Sequence, residues 1–583
     1  MKLESLPNEL LLDLFKYFST VQLLRAFHDL NSRFNHLLFV LCFDYHLDFR
    51  SISQRTFEIL CQQHLPLIIN RVSSLRLSDD DDDSPQQIDF FFSHGMILRQ
   101  FIHLRALTLY GVHSEEAMNN IIIECYDLPH LTHLKIVKCD SVFGRMNAVH
   151  LFNNIWSLPK LTDCRFSIQE NFHIPTVIVP FLKHLSIQKH YCHFNELNQL
   201  FERTPHIQSL CLLLNHLNDD QHLTSSVTSI ISLKLCDVRS RHAMLNLLAN
   251  IPNLKRLIVE TNFIKMDGHQ WEDIIVNYLP KLTVFRLKLR IQYYGSMNNE
   301  HEIDKLLDSF RSQFWLEKHQ WFVRCHQKFK TDYSDVFLYT FPQTFPELNM
   351  DTISISYKST CPYDKNFGLC QQVRSLIYEP SLVIDFTLPH IYFSNIHHLS
   401  VHLPLDKHFW TVVKNLDQLI SLSVSSTDDN ADHDLQILLN TTPCLYSLEI
   451  TFWPSSLIPL VKNTSKSIRR LDLRQLTICH QQGFNPSSRT KNYREFGRSQ
   501  LGTQCEVLRI GTKSEKDIFA LVDTMSNIRV LYTTCISDKW KYADDVSSSR
   551  KSEFIELLQS SLPSASRIKR IPGLSGFLQL WFR

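Results

Sequence analysis

The 583-residue sequence predicts an α/β chain: three short helices at the N-terminus, then a long irregular solenoid with a parallel sheet inside and helices outside. Three observations predict it. A short apolar phrase recurs along most of the chain. The intervals between its copies hold helix-like stretches that stop at proline. Glycine is scarce, at 12 residues in 583, or about 2% against a usual ~7%, which leaves few tight hairpin turns.

The phrase is apolar, two variable residues, apolar, variable, apolar. It reads Val72-Ser73-Ser74-Leu75-Arg76-Leu77, then Leu104-Arg105-Ala106-Leu107-Thr108-Leu109, then Leu131-Thr132-His133-Leu134-Lys135-Ile136. Later copies centre on Cys164, Leu185, Leu210, Leu233, Leu257 and Phe285, and then on Leu376, Leu399, Leu422, Leu448, Leu471, Leu508 and Leu531. Most steps fall within the window of roughly 20–29 residues found in leucine-rich repeats. A period of two places both flanking apolar residues on one strand face and the variable residue between them on the other. Helix-like intervals such as Phe194–Phe201 and Asp434–Leu439 end before Pro129, Pro159, Pro205, Pro252, Pro280 and Pro443, because proline disfavours helix in the residue before it. One strand and one helix cannot bury their own apolar faces, whereas stacked units can. The familiar Asn of the leucine-rich phrase is mostly missing, so the pattern resembles a degenerate leucine-rich repeat. The gap between Phe285 and Leu376 is expected to hide further parallel units, with Trp321-Phe322-Val323 and Thr352-Ile353-Ser354-Ile355 as strands. Phe577–Phe582 reads as a closing strand.

The first 43 residues do not fit the repeat. Ser5 is placed to cap a helix with Pro7 in its first turn, bearing Leu10, Leu11, Leu14, Phe15 and Phe18 as one stripe. Ser19 or Thr20 caps a second helix with Leu23, Leu24 and Phe27, and Ser32 starts a third with Phe34, Leu37, Leu38 and Leu41. The segments Leu6-Pro7-Asn8-Glu9-Leu10-Leu11, Leu14-Phe15-Lys16-Tyr17-Phe18, Leu23-Leu24-Arg25-Ala26 and Arg33-Phe34-Asn35-His36-Leu37 together resemble the F-box. Phe34 stands where Trp is more frequent in that family, and Gln22 where Asp is common. The resulting division is a module over 1–47, a linker helix over 48–68 and a repeat domain over 69–583.

Composition narrows the function. Sixty basic residues face 59 acidic ones, so no global field points to nucleic acid or an anionic membrane. The 15 cysteines include no C-x-x-C pair, and several, such as Cys164 and Cys236, lie in apolar strand patterns that predict reduced, buried thiols. Acids at Glu4, Glu9 and Asp13 and the absence of a long apolar run predict neither a signal peptide nor a membrane span, and hence a cytoplasmic or nuclear protein. No phosphate-cradling glycine loop is found. His301-Glu302 begins a zinc-protease look-alike, but Lys305 occupies the second histidine position. The cluster His190-Tyr191-Cys192-His193 reads as a loop without a second ligand pair, and Arg489–Arg494 as a basic loop insertion. No catalytic residue, metal or cofactor is expected, and the chain is expected not to be an enzyme.

The F-box resemblance implies a substrate-recognition adaptor of an SCF-type cullin ubiquitin ligase. Its partners would be a Skp-type adaptor, the cullin ligase subunits and a substrate protein. The alternative is an F-box-containing scaffold or regulatory binding protein outside the ligase. Adaptor binding falls by this resemblance to Leu6, Pro7, Glu9, Leu10, Leu14, Leu23, Leu24 and Phe34. The variable residues of the first nine phrases include Arg76, Lys135, Arg165, Lys234 and Arg286 and no acid, which predicts a basic stripe on a concave sheet, suited to an acidic or phosphorylated substrate segment.

Overall fold

The computed structural model describes residues 3–582 apart from the segments 42–43, 80–86, 140–147, 169–171, 215–221, 295–299, 330–332, 342–356, 363–373, 379–392, 429–430, 454–457, 475–485, 536–555, 563–564 and 571–576 and the single positions 51, 53, 113, 263, 408, 513 and 557. The chain folds as two compact units, one of residues 1–341 with 358–361 and one of the remainder.

The N-terminal module has helices α1 (Asn8–Phe15), α2 (Thr20–Phe27) and α3 (Ser32–His36). Ser5 ends a 3-10 turn and is not the N-cap of α1, a position that Pro7 holds. At α2 the Ser19 hydroxyl accepts the Gln22 N–H while Gln22 Oε1 accepts the Ser19 N–H at 2.9 Å. This reciprocal cap uses the residue that departs from the family pattern. Asn31 caps α3 by accepting the Phe34 N–H at 3.0 Å.

The first unit's sheet begins with β1 (Tyr45–Asp48), β2 (Val72–Ser78), β3 (Ala106–Tyr110), β4 (His133–Val137) and β5 (Asp163–Ser167). It continues with β6 (His184–Cys192), β7 (Ser209–Leu214), β8 (Ser232–Cys236), β9 (Arg256–Thr261) and β10 (Val284–Tyr294). These strands are parallel and paired in sequence order. The expected linker is therefore the first repeat: β1 lies inside the span assigned to the module, and residues 54–68 supply helical turns behind it. Among the helices are α4 (Glu115–Cys125), α5 (Ala148–Trp156), α6 (Phe194–Arg203), α7 (Arg241–Ala249) and α8 (Gly268–Tyr278), each ending two to four residues before Pro129, Pro159, Pro205, Pro252 or Pro280. Leu75, Leu107, Leu134, Cys164, Leu185, Leu210, Leu233, Leu257 and Phe285 are all buried and aligned strand to strand.

The gap after Phe285 does not continue the parallel array. Strands β11 (Phe322–Phe329) and β12 (Tyr333–Phe341) form an antiparallel hairpin whose second strand pairs with β10, and β13 (Tyr357–Ser359) follows on the far side of β11. A hairpin arises because only residues 330–332 separate β11 from β12, too few for a parallel crossover. The expected strand at Thr352–Ile355 lies outside the described residues.

The second unit repeats the plan. Its parallel strands are β14 (Ser375–Tyr378), β15 (His398–Leu403), β16 (Ser421–Ser426), β17 (Ser447–Phe452), β18 (Arg470–Leu473), β19 (Val507–Thr512) and β20 (Val530–Cys535). The closing strand β22 (Phe577–Phe582) pairs antiparallel with β20 and carries β21 (Ala565–Arg570) outside it. The basic segment Arg489–Arg494, expected as a loop, lies in helix α9 (Pro486–Arg498), where Tyr493 and Phe496 are buried.

One contact is tight enough to test. A Cβ on Gly268 would lie 2.3 Å from the Ser309 carbonyl oxygen. The Gly268 N–H donates to Ser309 Oγ at 2.7 Å, and its carbonyl accepts from Trp315 Nε1 at 3.2 Å. Behind it Trp271, Phe285, Phe310 and Trp315 form one buried aromatic group. Gly268→Ala should lower stability by about 1–3 kcal/mol, as overpacking does. Guanidinium unfolding followed by tryptophan fluorescence checks this, and an unchanged midpoint refutes it.

Candidate functional site

Two surfaces answer to the sequence-derived sites. The first is on the N-terminal helices. Leu11, Phe15, Leu23, Phe27, Phe34, Leu37 and Leu38 form the module's own core, with the Phe27 ring 4.9 Å from Phe15 and 5.3 Å from Phe34. Leu24 and Val21, on the same helix, are buried with the repeat core instead. Of the eight residues assigned to adaptor binding, Leu23, Leu24 and Phe34 are therefore interior: they hold the surface up and do not form it. Phe34, at 1% exposure, fills its site without the width of an indole. Leu6 and Leu14 are half-buried, while Pro7, Glu9 and Leu10 face outward, Leu10 with 53% of its surface exposed.

The sequence stripe counted five residues on one side of α1, but a helix this short presents two i, i+4 pairs in different directions. Leu11 and Phe15 turn inward, which leaves Leu10 and Leu14 on a neighbouring, more open face. Tyr17, 86% exposed, with Leu3, Phe18 and Leu30, adds apolar surface beyond the eight residues assigned to adaptor binding. Its entry segment is held by Arg33, whose guanidinium donates to the Glu4 and Leu6 carbonyls at 2.6 Å each and to Asn8 Oδ1 at 2.8 Å. Arg33 was legible only as part of the motif; its work as a clamp is not a spacing signal.

The second surface is the sheet face opposite the leucine ladder of the first unit. Strand register places Arg76, Thr108, Lys135, Arg165, Ser186, Cys211, Lys234, Ile258 and Arg286 in one continuous row. Neighbouring members stand about 4.8 Å apart. The five predicted cations thus share a face, but acids from β1 and from flanking positions pair with Arg76, Arg165 and Lys234. Arg76 Nη1 is 3.1 Å from Asp48, whose carboxylate is also forked by Arg50 at 2.8 and 2.6 Å. Arg165 forks onto the buried Asp163 at 2.9 and 3.1 Å. Lys234 Nζ lies 2.8 Å from Glu260. Burial pushes the Asp48 carboxyl up, yet Arg50 and then Arg76 outweigh it and hold it below the usual carboxylate range. Lys135 stands 5.9 Å over the Tyr110 ring, and Arg286 feels the charge of Arg256.

Cys164 is buried as expected, but Cys236 is half-exposed on this open face, beside Cys211. Both cysteines occupy variable positions of their strands, a placement that hydrophobicity alone cannot reveal. Among the described residues the cysteines carry free thiols. In the second unit the corresponding row runs Ile377, Ser400, Ser423, Glu449, Asp472, Arg509 and Tyr532. Asp472 is forked by Arg474 at 2.9 and 2.7 Å, and Arg509 lies 4.8 Å over the Tyr532 ring.

No helix among the described residues is long and apolar enough to cross a membrane. No family model matches the chain, and no curated protein matches it. Among solved structures it is similar to the crystal structure of the Rad7 and Elc1 complex in yeast, with a TM-score of 0.26 and 12% identity over 72% of this chain and 86% of that one. It is also similar to the crystal structure of the TLR13–ssRNA13 complex, with a TM-score of 0.24 and 14% identity over 76% of this chain and 58% of that one.

Proposed function

We propose that this chain is the substrate-recognition adaptor of an SCF-type cullin ubiquitin ligase, with its N-terminal helices docking on a Skp-type adaptor and the open sheet face of the first unit holding the substrate protein. The observation that carries the reading is the uncovered apolar surface of the N-terminal module. Leu10 in α1 and Leu3, Tyr17, Phe18 and Leu30 in the turns flanking the module's helices are exposed, while the module's interior is already filled by other residues. Apolar surface left over after a small core is complete is surface for a partner. The chain itself would do no chemistry. It would hold substrate lysines near the charged ubiquitin carrier, raising their effective concentration.

The substrate side of the reading rests on the basic row, narrowed by its ion pairs. Arg76, Arg165 and Lys234 are oriented by carboxylates, so an incoming acidic or phosphorylated segment would compete with Asp48, Asp163 and Glu260 for them. Lys135, which lies over the Tyr110 ring, and Arg286, which feels the charge of Arg256, would meet it on adjoining aromatic or positive surface. Arg forks bind phosphate in two bonds, and rim charges act mainly on encounter rate and salt dependence.

Two experiments follow. Leu10→Asp places a charge on an exposed position and should leave the fold intact while weakening Skp-type adaptor binding about thirty-fold, the loss of about 2 kcal/mol expected at an interface anchor. Co-purification at the wild-type level would remove the adaptor assignment. Separately, the double variant Lys135→Glu, Arg286→Glu should bind acidic and phosphorylated peptides on an array about tenfold more weakly and keep the adaptor. Unchanged peptide binding would place the substrate site off this row.

A further inference from the structure

We propose that His190, Cys192 and Glu196 form a binding site for one zinc ion where β6 meets α6. The three side chains offer an imidazole nitrogen, a sulfur and a carboxylate oxygen that all lie within 4.8 Å of one another. A mixed nitrogen, thiolate and carboxylate set suits zinc, whereas magnesium and calcium take oxygen ligands.

The local backbone is built unusually to bring them together. Between the pairs Ser186↔Cys211 and Tyr191↔Leu213, β6 carries residues 187–190 where β7 carries only residue 212. Lys189, inside this bulge, has a φ of 72°, a left-handed conformation rare for a side chain of its kind. The bulge swings His190 against the Phe172 ring, with centroids 5.7 Å apart. Cys192 then re-enters the sheet as a buried residue, and α6 starts two positions later.

His190 Nε2 is closed off from solvent and makes no hydrogen bond among the described residues. Glu196 Oε1 is 3.4 Å away but is not aligned to accept from it. With zinc–nitrogen and zinc–oxygen bonds of ~2.0–2.1 Å, the edge of a tetrahedral site is about 3.3–3.4 Å. The two atoms therefore stand as two ligands of one ion would, while a plain ion pair would aim the N–H at the oxygen. The other carboxylate oxygen is already placed: Glu196 Oε2 accepts the His193 N–H at 2.8 Å, which orients the group from behind as outer partners of metal ligands do. Cys192 carries a free thiol. Zinc binding would thus replace the S–H bond with a zinc–sulfur bond and release that proton to solvent. With three protein ligands, the fourth position is left to water.

The sequence hid this site because Glu196 lies on the next helix. The run from His190 to His193 alone has no ligand pair at metal spacing. Full-length chain stripped with a chelator and titrated with cobalt should bind one ion and develop a sulfur-to-cobalt charge-transfer band, which zinc then abolishes. Cys192→Ser should lose the band, and Glu196→Gln, at a half-buried position with the fold checked by circular dichroism, should keep the band but bind cobalt at least tenfold more weakly. No charge-transfer band in the wild-type chain, an undiminished band in Cys192→Ser, or wild-type cobalt affinity in Glu196→Gln would each overturn the site.

Discussion

The structure depends on one constraint: no single repeat can bury the apolar side of its own strand. Leu75 and Leu77 cover nothing by themselves, and become interior only when Leu107 and Leu109 stand beside them and a helix lies behind. Each strand is therefore stabilised by its neighbours, in register, because a slip of one residue would turn every ladder leucine toward water and every variable residue into the core. The same rule that aligns Leu75 with Leu107 aligns Arg76 with Thr108. The open row is a by-product of core packing, and its chemistry is free to vary because the fold does not use it.

A stack held by lateral pairing has a problem at each end, where a strand has one neighbour. Both units solve it at the C-terminal end in the same way. A hairpin adds to the last parallel strand with its second arm inward, β12 on β10 in one and β22 on β20 in the other. The reversal of direction ends the parallel repeat by geometry, since the next unit would need a parallel edge. At the other end of the first unit, β1 is covered by the N-terminal module: α2 gives Leu24 and Val21 to the repeat core while Leu23 and Phe27 serve the module. One two-sided helix therefore belongs to two cores, and the module is joined to the repeat by packing as well as by chain.

That double use explains what the sequence could and could not reveal. Periodicity located the parallel strands, because burying leucine on one side of a strand leaves a period of two wherever it happens. It also located the helices and their stops. It could not reveal strand direction, which depends on connection length, so the hairpin after Phe285 was read as more parallel units. It could not say which of two adjacent leucines in α2 faces which core, and the F-box resemblance placed both Leu23 and Leu24 on a partner surface. Nor could it pair charges across strands: Asp48, Asp163 and Glu260 meet Arg76, Arg165 and Lys234 only after register is known.

These pairings change what the open face can select. A row of unanswered cations would attract any polyanion, and its grip would fade quickly as salt screens it. A row in which Arg76, Arg165 and Lys234 are held by carboxylates would ask more of a ligand. It must offer an anion in a geometry that replaces the existing fork, as a phosphate can for Arg165 on Asp163. Displacing a buried acid from its paired cation carries a cost, because the acid is then left with less compensation than it had. Weak or diffuse anions do not meet that cost. Discrimination on this face would therefore come from the acids as much as from the bases, with the ion pairs acting as a threshold that a well-shaped anionic segment can cross and a merely acidic surface cannot.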